Sequence, residues 1–254
     1  MTWPAEAVRL AVEPVLPGFT VEILPSVDST NSELMRRARA GRTEPVLLVA
    51  EAQTAGRGRL GRAWASDPGA SLTFSLGLPL APADWSGLSL AVGVALAEAL
   101  HPEVRIKWPN DLWLRDRKLA GILIETASST ADLLAQRRYA VIGVGINLRR
   151  RGAEGFSTAP AALDELEPGA QAGQVLPRIA RPLVDAVKAF EGFGYAPFRA
   201  RFDVRDVLRD RQVQLSDGTQ GTAHGTSEAG GLLVHTAAGM LTVTSSEVSV
   251  RPAS

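Results

Sequence analysis

The chain has no cysteine. That excludes a disulfide framework, a thiolate zinc site and a cysteine nucleophile, and it agrees with a reducing compartment. Aromatic residues are scarce at 6%, and no uninterrupted apolar run approaches the roughly 20 residues of a membrane-crossing helix. The opening Met-Thr-Trp-Pro-Ala-Glu-Ala-Val-Arg lacks the basic-then-apolar order of a signal peptide. A cytoplasmic protein with no membrane attachment is the expectation. Neither sign of charge dominates: 27 Lys+Arg balance 27 Asp+Glu, which argues against broad, nonspecific nucleic-acid binding. The three histidines, His101, His224 and His235, lack helical metal-ligand spacing and read as structural or surface residues, so no metal ligand is expected among them.

Lysine is nearly missing as well. Only Lys107, Lys118 and Lys188 occur, which leaves 24 of the 27 Lys+Arg as arginine. Two of the three lysines flank one short motif. A compact ammonium reaches a single oxygen in a way that the planar guanidinium fork does not, and lysine is a common phosphate binder. Lys107 and Lys118 are therefore functional candidates, against the competing account that a compositional bias spared three lysines at random.

What the chain does have is concentrated in two stretches, Gln53-Thr54-Ala55-Gly56-Arg57-Gly58-Arg59-Leu60-Gly61-Arg62 and Lys107-Trp108-Pro109-Asn110-Asp111-Leu112. The first sets three arginines among three glycines. Glycine lets backbone N–H groups approach an anion closely, while each guanidinium offers a fork of donors to phosphate or carboxylate oxygens. An anionic, phosphorylated ligand is the first inference. The glycines also satisfy a bare G-x-G-x-x-G, but a dinucleotide fingerprint must open a helix, and Arg62-Ala63-Trp64-Ala65-Ser66-Asp67-Pro68-Gly69 cannot. A solvated basic surface loop remains the plain alternative.

With 254 residues, 45% hydrophobic and 21% charged, the chain can bury a proper core and hold one large or two smaller domains. Periodicity predicts a helix over Ala5 to Val12 and a strand over Thr20 to Leu24. A second helix follows Asp28-Ser29-Thr30-Asn31, with Thr30 and Glu33 as a capping box, Leu34, Met35 and Ala38 on its apolar side and Gly41 as its stop. Three neutral hydrogen-bonding side chains at a helix start also suit an uncharged polar ligand group. Strands are expected over Pro45 to Ala50, Ser71 to Leu78, Val104 to Lys107, Leu112 to Leu114, Lys118 to Glu125 and Tyr139 to Leu148, with a buried helix over Leu88 to Leu100. Arg115-Asp116-Arg117 reads as a hairpin tip, which puts Lys107 and Lys118 on neighbouring strands. Gly143-Val144-Gly145-Ile146-Asn147 would let a flat ligand lie on the sheet.

These motifs, in this order and approximate spacing, resemble the biotin protein ligases, the biotin–[acetyl-CoA carboxylase] ligases or holocarboxylase synthetases. The resemblance rests on Asp28-Ser29-Thr30-Asn31, the arginine-glycine loop, Lys107-Trp108-Pro109-Asn110-Asp111, Arg117-Lys118-Leu119-Ala120-Gly121-Ile122-Leu123 and Gly143 to Asn147. It implies an α/β (α+β) catalytic domain over 1–207, of the class II aminoacyl-tRNA synthetase and biotin ligase type. That domain has a mixed, mostly antiparallel sheet with helices, and an SH3-like β-barrel follows over 208–254. The tail suits this, since short apolar runs from Val213 to Val250 alternate with glycine-rich turns.

The resemblance further implies ATP-dependent formation of biotinyl-5′-AMP with Mg²⁺, then transfer of biotin to a lysine of a biotin carboxyl carrier domain of acetyl-CoA carboxylase or a related carboxylase. By matching position, Lys118, Arg57, Arg59 and Asp111 are the catalytic candidates. Ser29, Thr30, Asn31, Gln53, Gly56 and Gly58 match biotin contacts, Gly121, Leu123 and Gly143 match the pocket walls, and Trp64 matches a cover over the intermediate. Arg57, Arg59, Lys107, Asn110, Asn147 and Arg251 match the ATP side. Displacing pyrophosphate calls for positioned cations rather than covalent help from the protein. A carboxylate with an ordinary pKa near 4 is a poor base for a lysine near 10, so Asp111 is expected to orient the acceptor amine. Trp108 and Trp113 read as core or wall residues.

Leu60 stands where the family's loop often carries another arginine. Only 28 residues precede Ser29, too few for the helix-turn-helix domain of bifunctional members, so no DNA-binding repressor activity is expected. No aromatic partner for adenine stands out in Arg149 to Gly173; Phe156 is the candidate. Some members of the family dimerise, and a homodimer is within the expectation. Two other readings stay open: a ligase or transferase of the same fold acting on lipoate or octanoate, and a nonenzymatic biotin-binding module. The second would need no ATP and no paired cations.

Overall fold

The computed structural model describes residues 3–128, 137–150, 152, 159–244 and 250–252. Its central strand, Ser71–Leu80, shows how the sequence divides the molecule. Successive side chains of a strand point to opposite faces. Leu72, Phe74, Leu76 and Leu78 enter the main core on one face, while Thr73 and Ser75, also buried, point to the other. One face is oil and the other is polar.

Around this strand, β3, the chain lays β1 (Thr20–Val27), β2 (Val46–Gln53), β4 (Arg105–Lys107), β5 (Asp111–Leu114), β6 (Arg117–Ala127) and β7 (Arg138–Asn147) in the order β1-β2-β3-β7-β6-β5-β4. β1 and β2 are parallel and every other neighbouring pair is antiparallel. The mixed, mostly antiparallel sheet is thus as expected, with strand ends shifted by a few residues. Lys107 and Lys118 do not lie on neighbouring strands. β5 runs between β4 and β6, pairing Asp111 with Lys107 on one side and Trp113 with Lys118 on the other.

The apolar face is covered by α1 (Ala5–Val12), α3 (Leu88–Leu100), α4 (Ala172–Phe193) and α5 (Ala196–Asp203). Most residues of α3 are buried, which its alanine-leucine sequence permits, with Glu98 on the exposed side. In α4, Val175, Ile179, Leu183, Val187 and Phe190 recur at intervals of three or four and form the buried stripe, although Pro177 and Pro182 each remove one helical hydrogen bond.

On the polar face, α2 (Thr30–Arg39) lies across β2, β3, β7 and β6. Leu34 and Met35 pack there with Val46, Leu48, Tyr139 and Val141 in a second, smaller core. The cap of α2 differs from the capping box expected at Thr30. Ser29 is the N-cap, extended at φ −158° and ψ 134°, and its hydroxyl accepts from the Ser32 N–H at 3.4 Å. Thr30 is already helical, and Glu33 pairs with Arg36 and Arg37 instead of reaching back.

The tail forms a separate antiparallel sheet of β8 (Gln212–Leu215), β9 (Gln220–Thr226), β10 (Leu232–Thr236), β11 (Gly239–Val243) and β12 (Val250–Pro252), ordered β11-β10-β9-β8-β12. Among the described residues β11 and β12 are the edges of an open sheet. It docks through the Trp108 Nε1, which donates to the Gly230 carbonyl at 3.0 Å, and through the Tyr195 and Thr226 hydroxyls, 3.0 Å apart. Among the described residues no helix is long and apolar enough to cross a membrane.

Candidate functional site

Where α2 stops covering the polar face of the sheet, a cleft of about 550 Å³ opens over β3, β7 and β6. Its floor is ordered by strand register. Leu123 pairs with Gly143 at one level, and Gly121 with Gly145 at the next. Two residues along a strand separate these levels by about 6.6 Å. Different chemistry stands over each.

Over the first level is a neutral network. Thr30 N–H donates to the Gln53 side-chain oxygen at 2.8 Å, and Ser75 Oγ donates to Asn31 Oδ1 at 2.6 Å while lying 2.7 Å from Thr30 Oγ1. Ser29, Thr30, Asn31 and Ser75 are all buried. The helix start supplies Ser29 to Asn31, the end of β2 supplies Gln53, and the central strand supplies Ser75. Asn31 completes its bonding across the sheet, donating to Leu123 O at 3.2 Å and to Glu125 Oε2 at 2.9 Å.

Over the second level lies charge. Lys118 Nζ stands 2.7 Å from Asp111 Oδ1 and 5.7 Å from the centre of the Trp64 ring. The Lys118–Asp111 contact is an ion pair without hydrogen-bond alignment. Lys107 faces the Trp113 ring at 5.1 Å. From the loop, Arg57 reaches Glu125 at 3.0 Å, and Arg59 donates to Asn110 Oδ1 at 3.2 Å. Burial pulls the Arg59 guanidinium below its usual range, with Arg62 adding repulsion and Asp111 opposing the shift. At the rim, hydrogen bonding to Arg36 holds the Asp28 carboxyl down at about 2, so the residue before Ser29 stays an anion.

The loop is shaped by its own backbone. Gly58 N–H donates to Arg62 O at 2.7 Å and Trp64 N–H to Gly56 O at 2.8 Å, with a single 3-10 turn over Arg59–Gly61 between them. No regular helix follows the glycines, as the sequence demanded. Leu60 sits at φ 56° and is 60% exposed, so the place of the family's extra arginine points to solvent. The loop folds Trp64 down onto the sheet.

The glycines of β7 serve differently from the expectation of a bare floor. A Cβ on Gly143 would come within 2.2 Å of Asn31 Oδ1, and one on Gly145 within 2.3 Å of the Trp64 ring. Their missing side chains make room for the protein's own Asn31 and Trp64. Gly121 lies under the same indole and the Lys118 ammonium, with a virtual Cβ 3.4 Å and 3.2 Å away.

Most residues singled out from the sequence line this one cleft: Ser29, Thr30, Asn31, Gln53, Arg57, Gly58, Arg59, Trp64, Lys107, Asn110, Asp111, Lys118, Gly121, Leu123 and Gly143. Three do not. Gly56 is buried behind the loop, where a Cβ would meet Trp64 O at 2.5 Å. Asn147, at the end of β7, is turned to Lys118 O at 3.4 Å. Arg251 lies in β12, opposite Gln214, next to the cleft-lining Val250. Phe156 lies outside the described residues. Trp108 is fully buried, and Trp113 is a wall. The structure adds Ser75 and Glu125, which sequence reading did not pick out as site residues. Glu125 shares the face of Gly121 and Leu123 by strand alternation, a signal present in the sequence once the strand is assigned.

The chain is similar in sequence and fold to known proteins. Residues 23–147 match the model of the biotin/lipoate A/B protein ligase family. The bifunctional ligase/repressor BirA of Escherichia coli K12 is 38% identical over 234 residues, spanning 86% of this chain and 70% of that protein. The biotin–[acetyl-CoA-carboxylase] ligase of Paracoccus denitrificans is 30% identical over 245 residues, covering 89% and 98%. Among solved structures, the biotin protein ligase from Aquifex aeolicus in complex with biotin and ATP superposes with a TM-score of 0.77 at 28% identity, covering 92% of this chain and 99% of that one.

Proposed function

The chain belongs to the biotin/lipoate A/B protein ligase family, and on that footing we propose that it activates biotin with ATP and passes the biotinyl group to a carrier-protein lysine. The observation that carries this reading is the two-level cleft, neutral donors and acceptors over Leu123–Gly143 and cations over Gly121–Gly145. Biotin has the same order: an uncharged cyclic urea at one end and a carboxylate at the other. Ser29, Thr30, Asn31 and Gln53 would take the urea, and Lys118 with Arg57 the carboxylate.

In the first step a biotin carboxylate oxygen attacks the α-phosphorus of ATP, the bond to the bridging oxygen breaks, and pyrophosphate leaves. Lys118, Arg57 and Arg59 would offset the charge spread over the phosphoryl oxygens. Lys107, Asn110, Asn147 and Arg251 are proposed for the nucleotide. Mg²⁺ would travel with the phosphates. Asp116 lines the cleft, and a single carboxylate beside phosphate oxygens and water is an ordinary Mg²⁺ donor set. In the second step the acceptor amine attacks the acyl carbon, AMP leaves, and the amine's proton passes to solvent. Asp111, now paired with Lys118, would hold the incoming amine.

The acceptor we propose is a biotin carboxyl carrier domain of acetyl-CoA carboxylase or a related carboxylase, in the cytoplasm. We assign 1–207 to the catalytic unit and read the sheet within 208–254 as the SH3-like unit; the two sheets share no strand, which supports a boundary between them. Pyrophosphate release from Mg-ATP, compared for biotin, lipoate and octanoate without carrier, tests the reading. Biotin-specific release with mass detection of biotinyl-AMP is expected. Release with lipoate or octanoate instead would transfer the chain to the acyl branch of its family, and none with biotin would remove the ligase assignment.

A further inference from the structure

We infer that Glu125 is a positioning residue that makes the cleft selective for a cyclic urea, by fixing which atom Asn31 turns toward the ligand. This rests on the biotin reading above. An asparagine amide has two ends of nearly equal size, one donating and one accepting, and its partners decide which end faces where. Leu123 O and the Glu125 carboxylate can only accept, and they take both hydrogens of Asn31 Nδ2, at 3.2 Å and 2.9 Å. Oδ1 is thereby forced to the opposite side. There it receives the Ser75 hydroxyl at 2.6 Å and hangs directly over Gly143.

A carbonyl oxygen has two acceptor positions, and Ser75 uses one. The other serves a ligand N–H in the cleft that Asn31 lines. A urea ring carries N–H groups beside its carbonyl; the apolar tails of lipoate and octanoate carry none. A chain without N–H would leave the second acceptor position of that buried oxygen unfilled, so the amide, once locked, favours one substrate class over the other. Leu123 O alone, at 3.2 Å, would hold the amide by one long neutral bond; the shorter, charge-assisted bond to Glu125 is what makes turning over costly.

Glu125 also ties this end of the cleft to the other. Arg57 Nη2 lies 3.1 Å and 3.0 Å from its two carboxylate oxygens. The same carboxylate therefore holds the urea-side acceptor and the loop arginine at once, and a ligand anion competes with Glu125 for Arg57.

The test uses the full chain, with steady-state pyrophosphate release and Glu125→Ala, Glu125→Gln and wild type side by side. Glu125→Ala is expected to raise the KM for biotin by roughly tenfold, the loss of about one good hydrogen bond; the effect of freeing Arg57 is shared with Glu125→Gln and is read from that variant. Glu125→Gln keeps an acceptor oxygen for Asn31 and should restore the biotin KM to near the wild-type value, while loss of the competing ion pair leaves Arg57 to the adenylate and slows its escape. Biotin methylated on a urea nitrogen should be discriminated against by wild type and much less so by Glu125→Ala. If Glu125→Ala melts below the assay temperature, Glu125→Asp, one methylene too short to reach Asn31, carries the same expectation. An unchanged biotin KM in Glu125→Ala, equal damage in Glu125→Gln, or undiminished discrimination against the methylated urea overturns the inference and leaves the ligase reading intact. No biotin-dependent release by wild type would sink both.

Discussion

Gly143 stands in the sequence as one of two glycines in a strand, and its use becomes clear only from what lies above it. The carbonyl of Asn31 occupies the space where its Cβ would be. Gly143→Ala must push that side chain aside, so the biotin KM should rise about tenfold or more and stability should fall by on the order of 1 to 3 kcal/mol as buried hydrogen bonds of Asn31 break, measurable by pyrophosphate release beside a thermal melt. Lys118 and Asp111 separate by half-reaction. Removing one charge-stabilising donor typically costs about 10² to 10³ in rate, so Lys118→Ala should lose adenylate formation on that scale. Asp111→Ala should form adenylate within severalfold of wild type and be slowed about 10-fold to 100-fold in single-turnover transfer to the carrier lysine. Equal losses in both steps would remove Asp111's separate role. Residue chemistry was the most legible part of this chain: arginine among glycine, rare lysine and three neutral polar residues at a helix start all mark one cleft. Ser75 and Glu125 stayed hidden because a strand serine or glutamate reveals nothing until register shows what it faces.

Among the elements, amphipathic segments with clear stops were read closely, α1 and α3 to the residue. The long α4 was not, since Pro177 and Pro182 are breaker signals that its buried stripe overrides. β9 was missed for a similar reason, with Gly221 and Gly225 diluting its alternation. Lys107 and Lys118 were placed one strand too close although the strand expected over Leu112 to Leu114 separates them in sequence: β5 pairs with both of their strands and so keeps them apart. The start of α3 is set by Gly87, the residue before its first turn, at φ +83° with Tyr195 packed against its open side. A Cβ there would lie 2.8 Å from the Tyr195 side chain, in a conformation L residues avoid. Gly87→Ala should therefore destabilise the fold by about 1 to 3 kcal/mol, read as a lower midpoint in urea at unchanged slope. No change would mean that Tyr195 can retreat freely.

At the scale of the whole molecule, the large sheet reaches the small one through a narrow seam. Ile106 exchanges backbone hydrogen bonds with Arg205 and Val207, and Asp206 lies between them. Burial pushes the Asp206 carboxyl up to about 6, reinforced by Asp203 and Asp210 and opposed by the Leu208 N–H and Arg209. A carboxyl whose folded pKa exceeds its unfolded one gives its full contribution below about pH 4 and loses it as pH rises through about 6. Asp206→Asn retains the acceptor for Leu208 and should raise stability at pH 7 to 8 by on the order of 1 to 3 kcal/mol, with the gain shrinking toward zero near pH 4. Melts of both proteins across that range would decide it; a gain independent of pH would show that charge is not the cause. Nothing in the local sequence reveals such a carboxyl, because its burial is made by two sheets distant along the chain. The same distance matters for Trp64 and Gly145, which touch only because the loop folds back. In evolution these two positions are ordered: a side chain gained at 145 evicts the indole, so relatives with one there should lack tryptophan at 64, while glycine at 145 tolerates any residue at 64.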